Sequence, residues 1–202
     1  MFETMNSERR RRYPLAFPSF FPILLMSLLV VSIPANAQEY RSGWDIIESG
    51  TLEDLYSVES QGNEIWAFGE NGIMIISLDG GLTWEVSESL TSSDLTISSS
   101  GYGSFLAASS DGTILLKSNN DSEWSDITFD FGDELIHGAC LTDVSELVIV
   151  GGNGTIWTYK MQEWTNRSVS GWDLLDVSFL DTEKGIAVGE QGTILFLSLI
   201  HI

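Results

Sequence analysis

Ser77-Leu78-Asp79-Gly80-Gly81-Leu82-Thr83-Trp84 reads S-x-D-G-G-x-T-W, and the rest of the chain carries worn copies of the unit around it. Gly80 and Gly81 can take the positive φ of a tight turn. The Asp79 carboxylate can accept the turn's backbone N–H groups, and the Ser77 and Thr83 hydroxyls can add bonds across the two strand ends. Trp84 brings a large apolar ring with one N–H donor, suited to packing beneath the turn. The flanks, Gly72-Ile73-Met74-Ile75-Ile76 and Glu85-Val86-Ser87, are strand-like. The octet is therefore read as a turn joining two strands of one sheet.

Four tryptophans, Trp44, Trp84, Trp124 and Trp164, recur at intervals of 40, 40 and 40 residues. Gly72, Gly112, Gly154 and Gly192 run in phase with them, 40, 42 and 38 apart. Around each glycine the text repeats: Ala67–Met74, Ala107–Ile114, Ile149–Ile156 and Ala187–Ile194. Asn71-Gly72, Asp111-Gly112 and Asn153-Gly154 are hairpin signals. In the first unit the expected strands are Leu55–Glu59, Glu64–Phe68, Ile73–Leu78 and Thr83–Ser87. Four strands in about 40 residues, repeated, is the period of a β-propeller blade.

The expected fold is all-β, with four-stranded blades at 52–89, 92–130, 134–168 and 172–196. Gly43-Trp44-Asp45-Ile46-Ile47 is expected to be the last strand of a closing blade. The fourth unit reaches Gly192-Thr193-Ile194-Leu195-Phe196 before its own turn and tryptophan. Residues 197–202, Leu-Ser-Leu-Ile-His-Ile, resemble one translated frame of a transposase-type sequencing adapter and are expected to be an adapter-derived tail. The expectation is an incomplete propeller of about three and a half blades plus that N-terminal strand, from a C-terminally truncated fragment. Its octet decays along the chain. The second unit has Lys117, Asn119, Asn120, Asp121 and Glu123 in place of Ser77, Asp79, Gly80, Gly81 and Thr83, and the third is two residues shorter. Only the tryptophan persists.

The first 37 residues read as a signal peptide. Arg9–Arg12 form a basic stretch, 23–31 an apolar run too short for a typical span, and Ala35-Asn36-Ala37 a small-residue cleavage site. The domain proper is then 38–202, with no stable membrane anchor. Residues 1–37 hold four of the nine basic and two of the 29 acidic residues. The remainder keeps five basic and 27 acidic residues, a net charge of −22. Such a surface repels nucleic acid and suits a cationic partner, a salty environment or simple solubility. The single cysteine, Cys140, permits no intrachain disulfide, and its apolar neighbours suggest packing rather than reactivity.

The Ser77–Trp84 octet resembles the Asp-box of BNR-repeat proteins. The units with a Gly-Thr-Ile anchor ahead of that box resemble the photosystem II stability and assembly factor family, over roughly residues 42–196. The resemblance implies a β-propeller that binds a protein partner, such as a membrane-complex subunit, as an assembly or stability scaffold. The compartment implied is periplasmic or extracellular, or the thylakoid lumen in a photosynthetic source. The family's photosynthetic members carry an arginine-rich face, whereas this chain has only Arg41 and Arg167 after residue 37.

Enzymatic alternatives find little in the composition. A sialidase-like site needs an arginine triad to clamp a carboxylate, and other glycosidases need two suitably spaced carboxylates. His137 is the only histidine outside the leader and tail, so neither a zinc site nor a Ser-His-Asp constellation is assembled from sequence. No catalytic residue, metal ligand or cofactor is expected. The alternatives are a propeller glycosidase whose catalytic residues lie beyond residue 202, and a cell-surface adhesion or sensing module. Trp66, Trp157 and Trp172 are candidate stacking platforms, with packing between blades as the commoner fate.

Overall fold

In the computed structural model, residues 45–118 and 121–199 are described. The leader, Ala35, Ala37 and Trp44 lie outside them. Among the described residues, fifteen strands form four antiparallel sheets that follow one another along the chain. The first blade is β1 (Leu55–Gln61), β2 (Glu64–Gly69), β3 (Met74–Ser77) and β4 (Glu85–Val86). The second is β5 (Ile97–Gly101), β6 (Ser104–Ala108), β7 (Ile114–Lys117) and β8 (Ser125–Asp126). The third is β9 (Ile136–Asp143), β10 (Glu146–Gly151), β11 (Ile156–Lys160) and β12 (Glu163–Asn166). The fourth has three strands, β13 (Leu174–Phe179), β14 (Lys184–Gly189) and β15 (Ile194–Ser198). Within each blade the strands pair in chain order. This is the β-propeller architecture expected from the 40-residue period.

Two expectations are corrected. Of the expected strand 43–47, the described residues Asp45–Ile47 form no strand: Ile46 is fully exposed and Ile47 about half exposed, beside Val58 and Trp84 of the first blade. The last strand of the fourth blade runs two residues past its expected bound at 196. Leu197 and Ser198 belong to β15, opposite Gly185 and Lys184 of β14, because the pairing that starts at Ile194 continues in register.

The second-to-third strand hairpins explain the glycine anchor. Asn71, Asn153 and Gln191 have φ of 54, 50 and 54°, followed by Gly72, Gly154 and Gly192 at 74, 73 and 72°. Positive φ at both central residues is the type I′ signature. Each turn is closed by an N–H at its end, as from Ile73 to the Glu70 carbonyl at 3.0 Å. In the second blade only Gly112 has positive φ, at 98°, and the Gly112 N–H bonds to the Ser109 carbonyl.

The core lies between the blades. Phe68, Met74, Leu95 and Phe105 join the first and second blades, and Leu106, Ile114, Leu147 and Ile149 the second and third. Val148, Val150, Leu174 and Ala187 join the third and fourth. Sheets buried on both faces lose strict polar–apolar alternation, as β6 does: all five of its residues are buried.

Candidate functional site

The octet forms a turn that satisfies itself. Asp79 Oδ1 accepts the Ser77 hydroxyl at 2.8 Å and the Leu82 and Thr83 N–H groups at 2.9 Å each. Its Oδ2 accepts the Thr83 hydroxyl at 2.7 Å, and Ser77 Oγ accepts the Gly81 N–H at 2.8 Å. These bonds, led by the Thr83 hydroxyl, hold the Asp79 carboxyl down to about 2. Gly80 and Gly81 have φ of 79 and 93°. A side chain at Gly81 would approach the Trp84 ring at 4.0 Å, so the ring lies beside the turn. The Gly80 N–H bonds outside the octet, to the Asn63 carbonyl at 3.1 Å, which ties the turn to the β1–β2 hairpin.

The in-phase turns differ. In the second blade Ser118 and Asp121 are joined by a 2.9 Å backbone bond, and Lys117 reaches Glu64 at 3.3 Å. The third blade uses a two-residue turn of Met161 and Gln162, at φ 53 and 66°. Neither residue is a glycine or asparagine, so nothing in the sequence signalled that turn.

What persists is the tryptophan, and its partners explain why. Trp124 packs on the first blade, 5.1 Å from Trp66 and 5.6 Å from Phe68 edge to face, with Ile76 beside them. Trp164 packs in the same way toward the second blade, among Phe129, Phe131 and the Leu106 and Leu116 cluster. Its indole N–H donates to the Ile127 carbonyl at 3.1 Å. Of the candidate stacking platforms, Trp66 is buried and Trp157 packs on Phe129 and Phe131, while Trp172 is exposed.

At the end of the blades that bears the glycine turns, carboxylates gather. Asp94 accepts the Asn71 N–H at 2.8 Å, and Asp173 accepts the Asn153 N–H at 2.8 Å. Glu53 accepts the Asn71 amide at 3.3 Å, and Glu134 the Asn153 amide at 2.8 and 2.9 Å. A hydrogen bond shared with Glu53, partial burial and the Glu53 charge push the Glu70 carboxyl up. Glu53, Asp94, Asp111 and Glu190 are exposed.

Along the inner strands, Glu59 accepts the Ser98 and Ser100 hydroxyls at 3.1 and 2.8 Å. His137 Nδ1 lies 2.9 Å from the Leu174 carbonyl, tying the third blade to the fourth. Burial pushes the Cys140 thiol up. Among the described residues, no group of three or more His, Cys, Asp or Glu could hold a metal ion, and no helix is long and apolar enough to cross a membrane.

Two clefts lie between the third and fourth blades. The larger, about 500 Å³, includes Glu146, Tyr159, Lys160, Arg167 and Glu183 in its walls, with Lys160 paired to Glu146 at 2.9 Å. The smaller, about 250 Å³, is lined by Val148, Thr158 and Val169 on one side and Leu195, Phe196 and Leu197 on the other.

No family model matches the sequence, and no curated protein matches it significantly. Solved structures do. The computationally designed Ika4 protein superposes with a TM-score of 0.62 at 13% identity, over 78% of this chain and 99% of that one. YCF48 bound to D1 peptide superposes with a TM-score of 0.61 at 16% identity, over 78% of this chain and 54% of that one. The chain therefore spans the whole of one neighbour and about half the length of the other. With blades in series and the same fold in these neighbours, the chain is a β-propeller protein.

Proposed function

We propose that the chain is an exported, non-enzymatic propeller that binds a protein partner as an assembly or stability scaffold, and that the recognised segment is basic. The observation that carries this reading is the carboxylate-lined end of the blades. There Glu53, Glu70 and Asp94 surround the first blade's turn, with Asp111 and Glu190 at the in-phase turns of the second and fourth blades, and Glu70 is held toward its protonated form by Glu53. A lysine- or arginine-rich segment relieves that repulsion. The likeness to YCF48, which is solved with a bound peptide, supports a peptide as the kind of ligand, and so does the resemblance to assembly factors carried by the Asp-box repeat. The Asp-box itself is a structural turn in this reading. Export rests on Arg9–Arg12 and the Ala35-Asn36-Ala37 site.

Titrating the protein with a lysine-rich peptide and its glutamate-rich counterpart tests the reading. Only the basic peptide should bind, and its affinity should fall at least several-fold between 50 and 300 mM salt. Replacing Glu53, Glu70 and Glu190 by glutamine should weaken it at least tenfold. Equal binding of both peptides refutes the basic partner. Hydrolysis of a glycan panel, abolished by one carboxylate substitution, refutes the non-enzymatic role. Amino-terminal sequencing of the secreted protein should begin at Gln38.

A further inference from the structure

A cleft of about 220 Å³ opens between the second and third blades. Both of these blades are four-stranded. The cleft lies by the turns that follow β7 and β11, at the end opposite the glycine turns. Its polar wall is Ser118, Asp121 and Ser125 of the second blade with Ser145, Tyr159 and Gln162 of the third. Leu116 and Ile127 give it an apolar side.

Tyr159 marks the cleft. The residue is 8% exposed, and its ring packs 4.9 Å from Trp164 in the core between the two blades. Burial pushes its phenol up, and among the described residues no group hydrogen-bonds its hydroxyl. A buried phenol ordinarily has a partner. Ser118 is 7% exposed, and its hydroxyl meets that of Ser145 at 3.3 Å. One hydrogen of that pair has no acceptor among the described residues.

The preceding blade junction shows how the same seat is filled otherwise. Lys117 stands opposite Phe105 across β6 and β7 as Tyr159 stands opposite Leu147 across β10 and β11, so the two share one repeat position. Lys117 reaches back to Glu64, the first residue of β2, at 3.3 Å. At the next junction Glu64's counterpart is Ser104, the first residue of β6, and its hydroxyl donates to the Val144 carbonyl at 2.6 Å. Hydroxyls replace the ion pair, and the Tyr159 phenol is left beside the cleft.

We propose that this cleft binds a neutral monosaccharide. A hydroxyl both donates and accepts, so a wall of four hydroxyls and one carboxamide is matched by a ligand that does both around its rim. Asp121 repels an anion, and it stands exposed at the mouth, where a cation gains little. The C–H face of a sugar ring packs against Leu116 and Ile127, and the ring hydroxyls meet Ser118 and Tyr159. The space of about seven liquid waters holds one sugar ring and not two.

Saturation-transfer NMR on the full chain tests the proposal, with the methyl glycosides of glucose, galactose, mannose, fucose and N-acetylglucosamine as probes. Glycerol, methylammonium and acetate are run beside them. At least one glycoside should bind at least tenfold more tightly than all three. Tyr159→Phe removes only the hydroxyl, so it should weaken that glycoside at least tenfold and leave the urea midpoint unlowered. Ser118→Ala should weaken it several-fold. If no glycoside exceeds glycerol tenfold, the cleft takes an adventitious additive only and the proposal is overturned. Methylammonium or acetate binding in place of the glycosides overturns it as well. Unchanged glycoside affinity in Tyr159→Phe removes the site from this cleft, and a lowered urea midpoint there shows that the hydroxyl has a partner within the fold; either result overturns the proposal.

Discussion

Gly151→Ala should destabilise the protein far beyond the usual effect of a methyl group. At Gly69, Gly151 and Gly189 the backbone is extended, so φ itself costs nothing. What excludes a side chain is the approach of the preceding strand: a Cβ would sit 1.9 Å from the Asp54 carbonyl oxygen, 2.0 Å from that of Leu135 and 2.2 Å from that of Asp173. Each of these carbonyls accepts an N–H from the residue after the glycine, at 2.9, 3.0 and 2.9 Å. Each also sits at a register shift, such as Val150 with Gly138 but Gly151 with Ile136. The second blade is the internal control. It has Ser109 at this position, and β5 pairs with β6 without a shift. For Gly151→Ala, reaching ordinary 3.4 Å contact moves the Leu135 carbonyl by about 1.4 Å. Overpacking of this kind costs about 1–3 kcal/mol. The lost Gly152–Leu135 hydrogen bond adds about 0.5–1.5 kcal/mol. We expect a loss of about 2–4 kcal/mol in urea unfolding, read as a lowered midpoint at constant slope. Ser109→Gly meets no such approach and should cost about 0.5–1 kcal/mol of added chain entropy plus about 0.5–1.5 kcal/mol for the Ser109 hydroxyl's bond from the Asp111 N–H. A Gly151→Ala change under about 0.5 kcal/mol, the scale of a neutral surface substitution, would refute the close-approach argument.

Asp79 titrates at about 2 in the fold, below its ordinary 3.8, so its contribution is complete above pH 4 and is lost as pH falls from about 4 toward 2. Carboxyl-carbon NMR should show the low value, and Asp79→Asn should flatten the fall in Tm over that window; a titration near 3.8 would contradict the hydrogen-bonded turn. Burial raises the Cys140 thiol, so alkylation at pH 7.5 should be at least tenfold slower than for a free cysteine and should accelerate in denaturant. Gln162→Gly removes a left-handed cost of about 1 kcal/mol from the Met161-Gln162 turn. It should raise stability by up to that amount in the same urea assay.

Fold and period were legible because the chemistry that repeats is the chemistry that closes turns. Asn71-Gly72 and Asn153-Gly154 demand positive φ, and they have it. The third blade's turn was hidden, because Met161 and Gln162 adopt positive φ under the constraint of the flanking pairs Lys160–Glu163 and Tyr159–Trp164. The blade-end carboxylates were lost among 27 acidic residues. Their neighbours come from sequence separations of 18 to 23, which become proximity only when the blades stack. The glycines at 69, 151 and 189 were visible in the repeated text, but their reason, a carbonyl passing 1.9 to 2.2 Å from an absent Cβ, exists only in three dimensions.

The decay of the octet separates two demands that its first copy combines. A turn can be closed in several ways: by the Asp79 carboxylate in the first blade, by a Ser118–Asp121 backbone bond in the second, by two left-handed residues in the third. Each satisfies the same strand ends, so Asp79, Gly81 and Thr83 are replaceable. The seat on the preceding blade has no such alternatives. Trp124 fills the space beside Trp66 and Phe68, and Trp164 the larger space left by Leu106 and Ala108, where Phe129 and Phe131 take up the remainder. An aromatic ring of that size, entering from a two- or four-residue strand, is what joins one blade to the next. Trp164→Ala should therefore cost about 3 kcal/mol, more than any single change among the turn residues before it, because it opens a blade junction while they reshape only a turn.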